Sequence, residues 1–298
     1  MKVLSHTGIE YVTRDGRQGY GWNFYPGCLH KETGVCPVKR CWAESMSKRH
    51  DGVLEKAPGL PKGSLDSFHH PRLVPELLLA PMLIKKPSVI FANPMGDLGG
   101  EWVDFSCLRC LSAGQIGKVG LLSHERILCR SLREWMFLVM SKCPKHRFLF
   151  LTKNPKAWQK WNPWPDNAWV GATVCNQDSL MHTIYEPNTG LRYLKAKHKW
   201  LSIEPLKGNL GIKPMELKGI DWLVIGQETP VKPETTPKIE WIKEIVEAAD
   251  MAGVKVWLKD NMYDLLAGNL DNPKENGLLY EGFWGNEKAK LRQEVPWG

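Results

Sequence analysis

The sequence predicts an α/β fold, a partial (β/α) barrel of about six to seven parallel strands. From residue 88 onward, short apolar runs end in polar residues and are each followed by a helical or loop segment. Continuous apolar runs of this length are typical of parallel strands buried on both faces. The segments 131–142 and 237–252 have helical periodicity, as βα units require. Because no long Ser/Gly/Pro linker divides the chain, we expect one barrel domain over residues 1–262.

The elements follow one another along the chain. A strand-like stretch at 19–26 precedes the first cysteine, and a helix is expected from Trp42 to His50. Apolar runs then predict strands at 88–93, 147–153, 168–174, 199–204, 221–228 and 255–260. Residues 103–130 interrupt this rhythm and indicate a small cysteine-containing insertion. Residues 263–298 are rich in Gly, Asn, Pro and charge, which predicts a loop-rich tail packed on the barrel.

Composition restricts the class of protein. No apolar run approaches a membrane span and the start lacks signal-peptide features, so we expect a cytoplasmic protein without a membrane partner. The net charge of +8 is compatible with nucleic-acid binding and equally with a solvated basic surface. Hydrolase and kinase functions are excluded, because the chain has no serine elbow, phosphate-binding Gly-rich loop or dinucleotide fingerprint.

Three cysteines close to the start, Cys28, Cys36 and Cys41, are spaced C-x7-C-x4-C after the first predicted strand. Three thiolates on one loop can hold a metal centre and leave one coordination position open, which is typical of a catalytic iron–sulfur cluster. The alternative is structural zinc with His30 as the fourth ligand. Cys28-x-His30 is tighter than the usual finger spacing, so the cluster is the preferred interpretation.

Polar residues stand at the ends of the predicted strands. They are Asn93, Asp97, Thr152, Lys153, Thr173, Glu204, Gln227, Glu228, Lys259 and Asp260. In parallel barrels ligands and catalytic groups collect at the carboxyl ends of the strands, so these residues and the cysteine loop predict one site on one rim. For Glu204 and Glu228 the alternative is an ion pair with Lys153 or Lys259 inside the barrel.

A second metal site is a hypothesis for the insertion. Cys107, Cys110, His124 and Cys129 form the pattern C-x2-C-x13-H-x4-C, which suits zinc or a second cluster. Free buried cysteines explain the same residues equally well.

Two groups of ring-bearing side chains are not assigned to the predicted site. Trp158, Trp161 and Trp164 form an exposed-looking group in which stacking on bases is conceivable, but packing is preferred. His69 and His70 indicate a solvated turn.

An ordered set of motifs covers residues 20 to 262. The motifs are Trp22-Asn23 before Gly27-Cys28, Cys41-Trp42-Ala43-Glu44, the run from Phe91 to Asp97, Leu151-Thr152-Lys153, the run from Trp169 to Thr173, Ser202-Ile203-Glu204-Pro205, the run from Trp222 to Glu228, and Lys259. With them the chain resembles the phage Gp37/Gp68-like (DUF5131) family of three-cysteine proteins, related to radical S-adenosylmethionine (SAM) enzymes. The cysteine spacing is wider than the C-x3-C-x2-C usual in radical SAM enzymes, so the loop must fold differently.

The resemblance implies a radical-SAM-like barrel that carries a [4Fe–4S] cluster on Cys28, Cys36 and Cys41. It implies that SAM binds the fourth iron and that an electron donor reduces the cluster. SAM is then cleaved to methionine and a 5′-deoxyadenosyl radical, which removes a hydrogen from the substrate. A nucleic acid or nucleotide is the expected substrate class, with base modification as the outcome. The rival hypothesis is a non-catalytic metal-binding protein that interacts with nucleic acid.

The resemblance also implies roles for the residues at the rim. The cofactor-binding residues would be Asn93, Asp97, Gly99, Gly100, Glu101, Thr173 and Gln227, with Asp97 the first choice for the amino group of SAM. Lys153 would meet the SAM carboxylate or a substrate phosphate. Glu204 and Glu228 would bind the ribose of SAM or the substrate.

Overall fold

The computed structural model describes residues 3–36, 38, 41–49, 67–108, 130–267, 277–280 and 290–297. Its strands are β1 (Ser5–His6), β2 (Thr13–Arg14), β3 (Arg17–Gln18), β4 (Tyr20–Trp22), β5 (Val89–Ala92), β6 (Cys107–Leu108), β7 (Arg130–Ser131), β8 (Arg147–Thr152), β9 (Ala168–Thr173), β10 (His198–Ile203), β11 (Trp222–Ile225), β12 (Lys255–Leu258), β13 (Leu279–Tyr280) and β14 (Lys290–Leu291). Its α-helices are α1 (Trp42–Arg49), α2 (Pro75–Leu78), α3 (Leu132–Lys142), α4 (Gln177–Tyr185), α5 (Ile239–Ala252) and α6 (Tyr263–Ala267). Short 3₁₀ turns lie at Ser67–His69, Ala80–Leu83, Pro155–Trp161, Leu191–Tyr193, Pro214–Leu217, Pro233–Thr235 and Asp260–Met262.

The main sheet has eight strands in the order β1-β4-β5-β8-β9-β10-β11-β12 and is mostly parallel. Seven of them match the seven predicted runs, six lying within them and β10 beginning one residue early at His198, so the predicted α/β class is confirmed. The eighth, β1, pairs antiparallel with β4 through Ser5–Gly21 and His6–Tyr20. The sequence did not reveal it, because two exposed polar residues carry no hydrophobic period. All residues of β5, β9 and β11 are buried, as expected for strands covered on both faces.

The chain divides into two compact units, which are described separately. The first comprises Met1–Trp169 with Lys195–Lys197, and the second Val170–Leu194 with His198–Gly298. In the first unit β4 pairs in parallel with β5, and β5 with β8. In the second unit β10 pairs in parallel with β11, and β11 with β12.

The three predicted helices, which became α1, α3 and α5, are close to their predicted bounds. In the first unit α3 begins after Ser131, whose hydroxyl accepts from the Glu134 N–H while the Glu134 carboxylate accepts from the Ser131 N–H. This capping box defines the start of the helix. In the second unit α5 ends at Gly253, whose φ of 71° is the left-handed conformation that glycine adopts without strain.

The tryptophan group of the first unit corrects an expectation. Trp158 and Trp161 are fully buried and Trp164 is 5 % exposed, so the group is not exposed. Trp164 packs against Trp158 at 5.3 Å and against Phe150 on β8 at 4.9 Å between ring centroids. The rings therefore form an aromatic core beneath β8, and the preference for packing over base stacking is confirmed.

The described parts of the tail pack within the second unit. Trp222 donates its indole N–H to the Glu294 carbonyl at 2.8 Å, and Trp297 packs edge-on against the Trp222 ring. Arg292 binds the Asp250 carboxylate of α5 at 2.7 Å. In the part of the chain that the structure describes, no helix is long and apolar enough to cross a membrane.

Candidate functional site

The cysteine loop of the first unit is joined to the loop that follows β5. The Asn93 side chain accepts from the Tyr25 N–H at 2.9 Å and donates to the Tyr25 carbonyl. The Gly27 N–H donates to the Met95 carbonyl at 2.9 Å, and Gly27 and Gly96 form a bridge. A Cβ on Gly96 would lie 2.7 Å from the Tyr25 carbonyl oxygen, so this approach requires glycine. The segment leading into Cys28 is thus fixed by backbone hydrogen bonds.

A compact turn accounts for the wide spacing between Cys28 and Cys36. The Cys28 N–H donates to the Phe68 carbonyl, and the Cys36 N–H donates to the His30 carbonyl, both at 3.0 Å. Gly34 has a φ of +73°, which permits the reversal of the chain between them. Cys41 directly precedes α1, where its carbonyl accepts from the Ser45 N–H at 3.0 Å.

Lys153 is the cation that interacts electrostatically with all three cysteines. Burial opposes the charge of its ammonium, but Cys36, Asp97, Cys41 and Cys28 outweigh burial, so the pKa of Lys153 is raised. Within the described residues the ammonium forms no hydrogen bond and no ion pair. The Cys28 thiol accepts from the His30 backbone N–H, while burial and the Asp97 carboxylate raise its pKa to about 12. The charge of Lys153 therefore interacts favourably with all three cysteines.

Asp97 is a buried carboxylate with three hydrogen-bond donors and with the His30 ring at ion-pair distance. Its Oδ1 accepts from the Gly99 N–H at 2.7 Å and the Thr152 hydroxyl at 2.6 Å. Its Oδ2 accepts from the Lys153 N–H at 2.9 Å and lies 2.9 Å from Nε2 of His30. Burial alone would raise the pKa of Asp97, but these donors lower it. The amino group of SAM, its predicted partner, would have to compete with His30 for Oδ2.

The glycines after Asp97 allow close packing. A Cβ on Gly99 would lie 2.1 Å from the Thr152 hydroxyl, and one on Gly100 would lie 2.2 Å from the Trp102 ring. The Trp102 ring in turn packs edge-on against His30 at 4.8 Å. Glu101 is exposed. Gly99 and Gly100 thus hold the loop against the ends of β5 and β8.

A polar cluster holds together the two ends of the cysteine loop, and we call it the loop clamp: Lys31, Glu32, Glu44, Lys48 and His69. Glu44 of α1 binds Lys48 at 2.8 Å and Lys31 at 3.2 Å, and lies 3.5 Å from His69 Nε2. His69 Nδ1 lies 2.7 Å from Glu32. The expectation of a solvated turn was wrong for His69, which is only 18 % exposed in its side chain.

Replacing Glu44 with glutamine is expected to lower the free energy of unfolding by about 1 kcal/mol near neutral pH, a value reduced because both lysines are largely exposed. The hydrogen bond from Lys48 is the main cause that lowers the pKa of Glu44 to about 2. Its stabilising effect is therefore complete above the unfolded pKa of about 4.3 and is lost as the pH falls toward 2.

Urea denaturation of wild type and Glu44→Gln over this pH range checks the effect. A difference that stays constant down to about pH 2 would contradict the clamp. Glu32→Gln is the matched control, since Glu32 is 55 % exposed and is expected to change stability less.

The remaining predicted site residues lie in the second unit. Glu204 forms the ion pair with Lys259 that the alternative interpretation expects. Glu228 lies 3.5 Å from Lys207, a partner that the sequence did not predict. A Cβ on Gly226 would lie 2.8 Å from the Lys259 side chain, so this glycine leaves room for the ion pair.

Two predicted cofactor residues of the second unit are buried. Gln227 is 2 % exposed and donates to the Asn261 carbonyl, while Asn261 Nδ2 donates to the Gln227 carbonyl at 2.9 Å. The Gln227 side-chain oxygen has no hydrogen-bond partner among the described residues. Thr173 is 7 % exposed at the end of β9.

The predicted second metal site falls outside the described residues: Cys110, His124 and Cys129 lie there entirely, as does the side chain of Cys107. Among the side chains that the structure does describe, no three His, Cys, Asp or Glu form a group that could hold a single metal ion. The described cysteines Cys28, Cys36, Cys41, Cys143 and Cys175 are free thiols.

The sequence did not identify three residues of this site. The spacing predicted His30 only as a zinc ligand, whereas its ring lies beside Asp97. No sequence pattern pointed to Trp102, whose ring packs against His30. Glu44 was noted as a motif residue without a role. Its i,i+4 spacing to Lys48 was a readable signal for an ion pair, although Lys31 and His69 were not predictable partners.

The fold and the site define a class: an α/β protein with three free cysteines on the loop after a parallel strand, facing a lysine at the end of another. A family model described as a protein of unknown function (DUF5131) matches residues 119–286, and the chain belongs to this family. Comparison with curated proteins and with solved structures finds no match.

Proposed function

We propose that this protein is an iron–sulfur enzyme of the radical SAM type, acting on a nucleic acid or nucleotide. The observation that carries the proposal is the set of three free thiols on one loop that all interact electrostatically with the ammonium of Lys153. The series of parallel strands supports a partial barrel of the kind such enzymes use, with the cysteine loop after the first parallel strand. Membership of the family supports the motif resemblance on which the SAM chemistry depends.

The donor set suits a [4Fe–4S] cluster. Iron–sulfur clusters are bound by thiolates, and three thiolates leave one iron for an outside ligand. The partial exposure of Cys28, Cys36 and Cys41 leaves their sulfurs accessible. When bound to these thiolates, the cluster would supply the electron that cleaves SAM to methionine and a 5′-deoxyadenosyl radical.

Residues of the protein would stabilise the negative charge of the three thiolates and adjust the properties of the cluster. The Lys153 ammonium would stabilise the three thiolates, whose negative charge otherwise accumulates in a partly buried place. The same ammonium would be available to the carboxylate of SAM. The N–H···S contact from the His30 backbone to Cys28 would change the reduction potential of the cluster, since hydrogen bonds to the sulfurs shift that potential.

Asp97 would position the site through its neighbours. It holds His30 from the cysteine loop, Thr152 and the Lys153 backbone at once, so it connects three segments whose side chains must keep a fixed relation. Glu204 and Glu228 of the second unit would serve as groups for the ribose of SAM or the substrate. Each already has a lysine partner within ion-pair distance.

Anaerobic purification tests the proposal. We expect a brown protein with about four irons per chain that releases 5′-deoxyadenosine from SAM after chemical reduction. A colourless protein with stoichiometric zinc, inert toward SAM, would support the rival metal-binding function and overturn the enzyme. The reduced protein without SAM and SAM with reductant alone are the controls.

A further inference from the structure

A basic pocket lies at the opposite ends of the first unit's strands from the cysteine loop. It has a volume of about 70 Å³, and its lining includes His6, Arg14, Arg17, Tyr20, Lys86 and Ser88. Tyr20 begins β4 and the pocket also reaches Val89, which begins β5. The cysteines, in contrast, follow the carboxyl end of β4. We call this feature the strand-start pocket.

The strand-start pocket carries uncompensated positive charge. Asp15 lies 3.6 Å from Arg14 and 3.4 Å from Arg17, so one exposed carboxylate is shared by two guanidinium groups. Lys86 has no hydrogen-bond or ion-pair partner for its ammonium among the described residues. Arg147, the first residue of β8, has its pKa lowered by burial and then by the charge of Arg14. The cations therefore repel one another, and an anion bound among them would relieve the repulsion.

Flat rings border these cations. His6 and Tyr20 stack with their centroids 4.4 Å apart and an interplanar angle of 25°. His6 Nδ1 lies 3.1 Å from the Gln18 carbonyl oxygen, which fixes the orientation of this exposed ring. Aromatic faces beside a basic groove are typical of sites for single-stranded nucleic acid, because every base can stack.

The size of the pocket favours one phosphate group over a whole nucleotide. A cavity that holds a benzene ring measures about 150 Å³, whereas this pocket measures about 70 Å³. A base would not fit inside and would lie on the exposed His6 ring instead.

We propose that the strand-start pocket binds a backbone phosphate of a single-stranded nucleic acid, with an adjoining base stacked on His6. Arg14, Arg17 and Lys86 supply the positive charge. The pocket determines which phosphate of the nucleic acid is held there. The contact is non-covalent and requires neither cluster nor SAM, so it can be measured separately from the proposed enzyme chemistry, with which it shares only the nucleic-acid partner.

The test measures binding of a fluorescein-labelled oligothymidylate to the full chain by anisotropy, between about 50 and 200 mM salt at pH 8. Lys86→Gln is expected to reduce the slope of log K against log salt by about 0.7, and the affinity at 0.1 M salt about fivefold. Arg14→Gln is expected to do the same. His6→Ala is expected to weaken binding about tenfold without changing the slope, because the ring is proposed to stack on a base and not to bind a phosphate.

Lys218→Gln is the matched control, since Lys218 is an exposed lysine of the second unit. It should leave both slope and affinity unchanged. Lys86 is exposed and unpaired, so its loss does not threaten folding. The proposal is overturned if Lys86→Gln keeps the wild-type slope, or if Lys218→Gln reduces the slope equally. Tighter binding to vesicles of anionic phospholipid than to the oligonucleotide would also overturn it.

Discussion

Replacing Cys41 with alanine is expected to abolish the iron–sulfur centre and, with it, release of 5′-deoxyadenosine from SAM. Two remaining thiolates, Cys28 and Cys36, leave one more iron without a protein ligand, and a cluster held by two cysteines is readily lost. The measurement is iron and acid-labile sulfide per chain after anaerobic reconstitution, followed by the product assay. Because Cys41 is only partly buried at the start of α1, the substitution should leave the folded structure intact.

Cys143 provides the matched control. It is a free cysteine of the same unit, buried at the end of α3 and outside the cysteine loop. Cys143→Ala should therefore keep about four irons. Unchanged iron and sulfide in Cys41→Ala would contradict the cluster assignment, and equal losses in both variants would indicate misfolding.

Replacing Asp97 with alanine is expected to lower the free energy of unfolding by about 3–5 kcal/mol, because the donors around a buried carboxylate lose their acceptor together. Those donors come from the cysteine loop, the loop after β5 and the end of β8. Urea denaturation followed by tryptophan fluorescence measures the change. Asp104→Ala is the control, since Asp104 is an exposed carboxylate of a nearby loop whose side-chain hydrogen bonds within the described residues go to Ser106, and little change is expected.

The same comparison has a defined pH dependence. The lowered pKa of Asp97 means that its stabilising effect is complete above the unfolded value of about 3.9 and is lost as the pH falls below it. The stability difference between wild type and Asp97→Ala should therefore be constant from pH 8 to about 5 and shrink in stronger acid. A difference that grows on acidification would show that the carboxylate is not charged in the folded protein.

Much of the fold could be predicted because buried parallel strands leave a direct trace in the sequence. The runs that became β5, β8 and β11 are apolar without alternation, as two covered faces require. β1 left no such trace, since it contains only Ser5 and His6. The exposure of Trp158 and Trp161 was misjudged for a related reason: a turn with polar neighbours resembles a surface loop until the rings beneath it are known.

The sequence by itself determined the α/β class, the position of the cysteine loop after a parallel strand, and the polar residues at strand ends. These follow from short-range patterns of hydrophobicity and spacing. Only the tertiary structure decided what those residues touch. It places Asp97 beside His30 and Glu204 beside Lys259, although these partners lie far apart along the chain. It also brings the three thiols within electrostatic influence of Lys153. Such partners depend on which strands become neighbours and how their loops turn, and no local pattern encodes that.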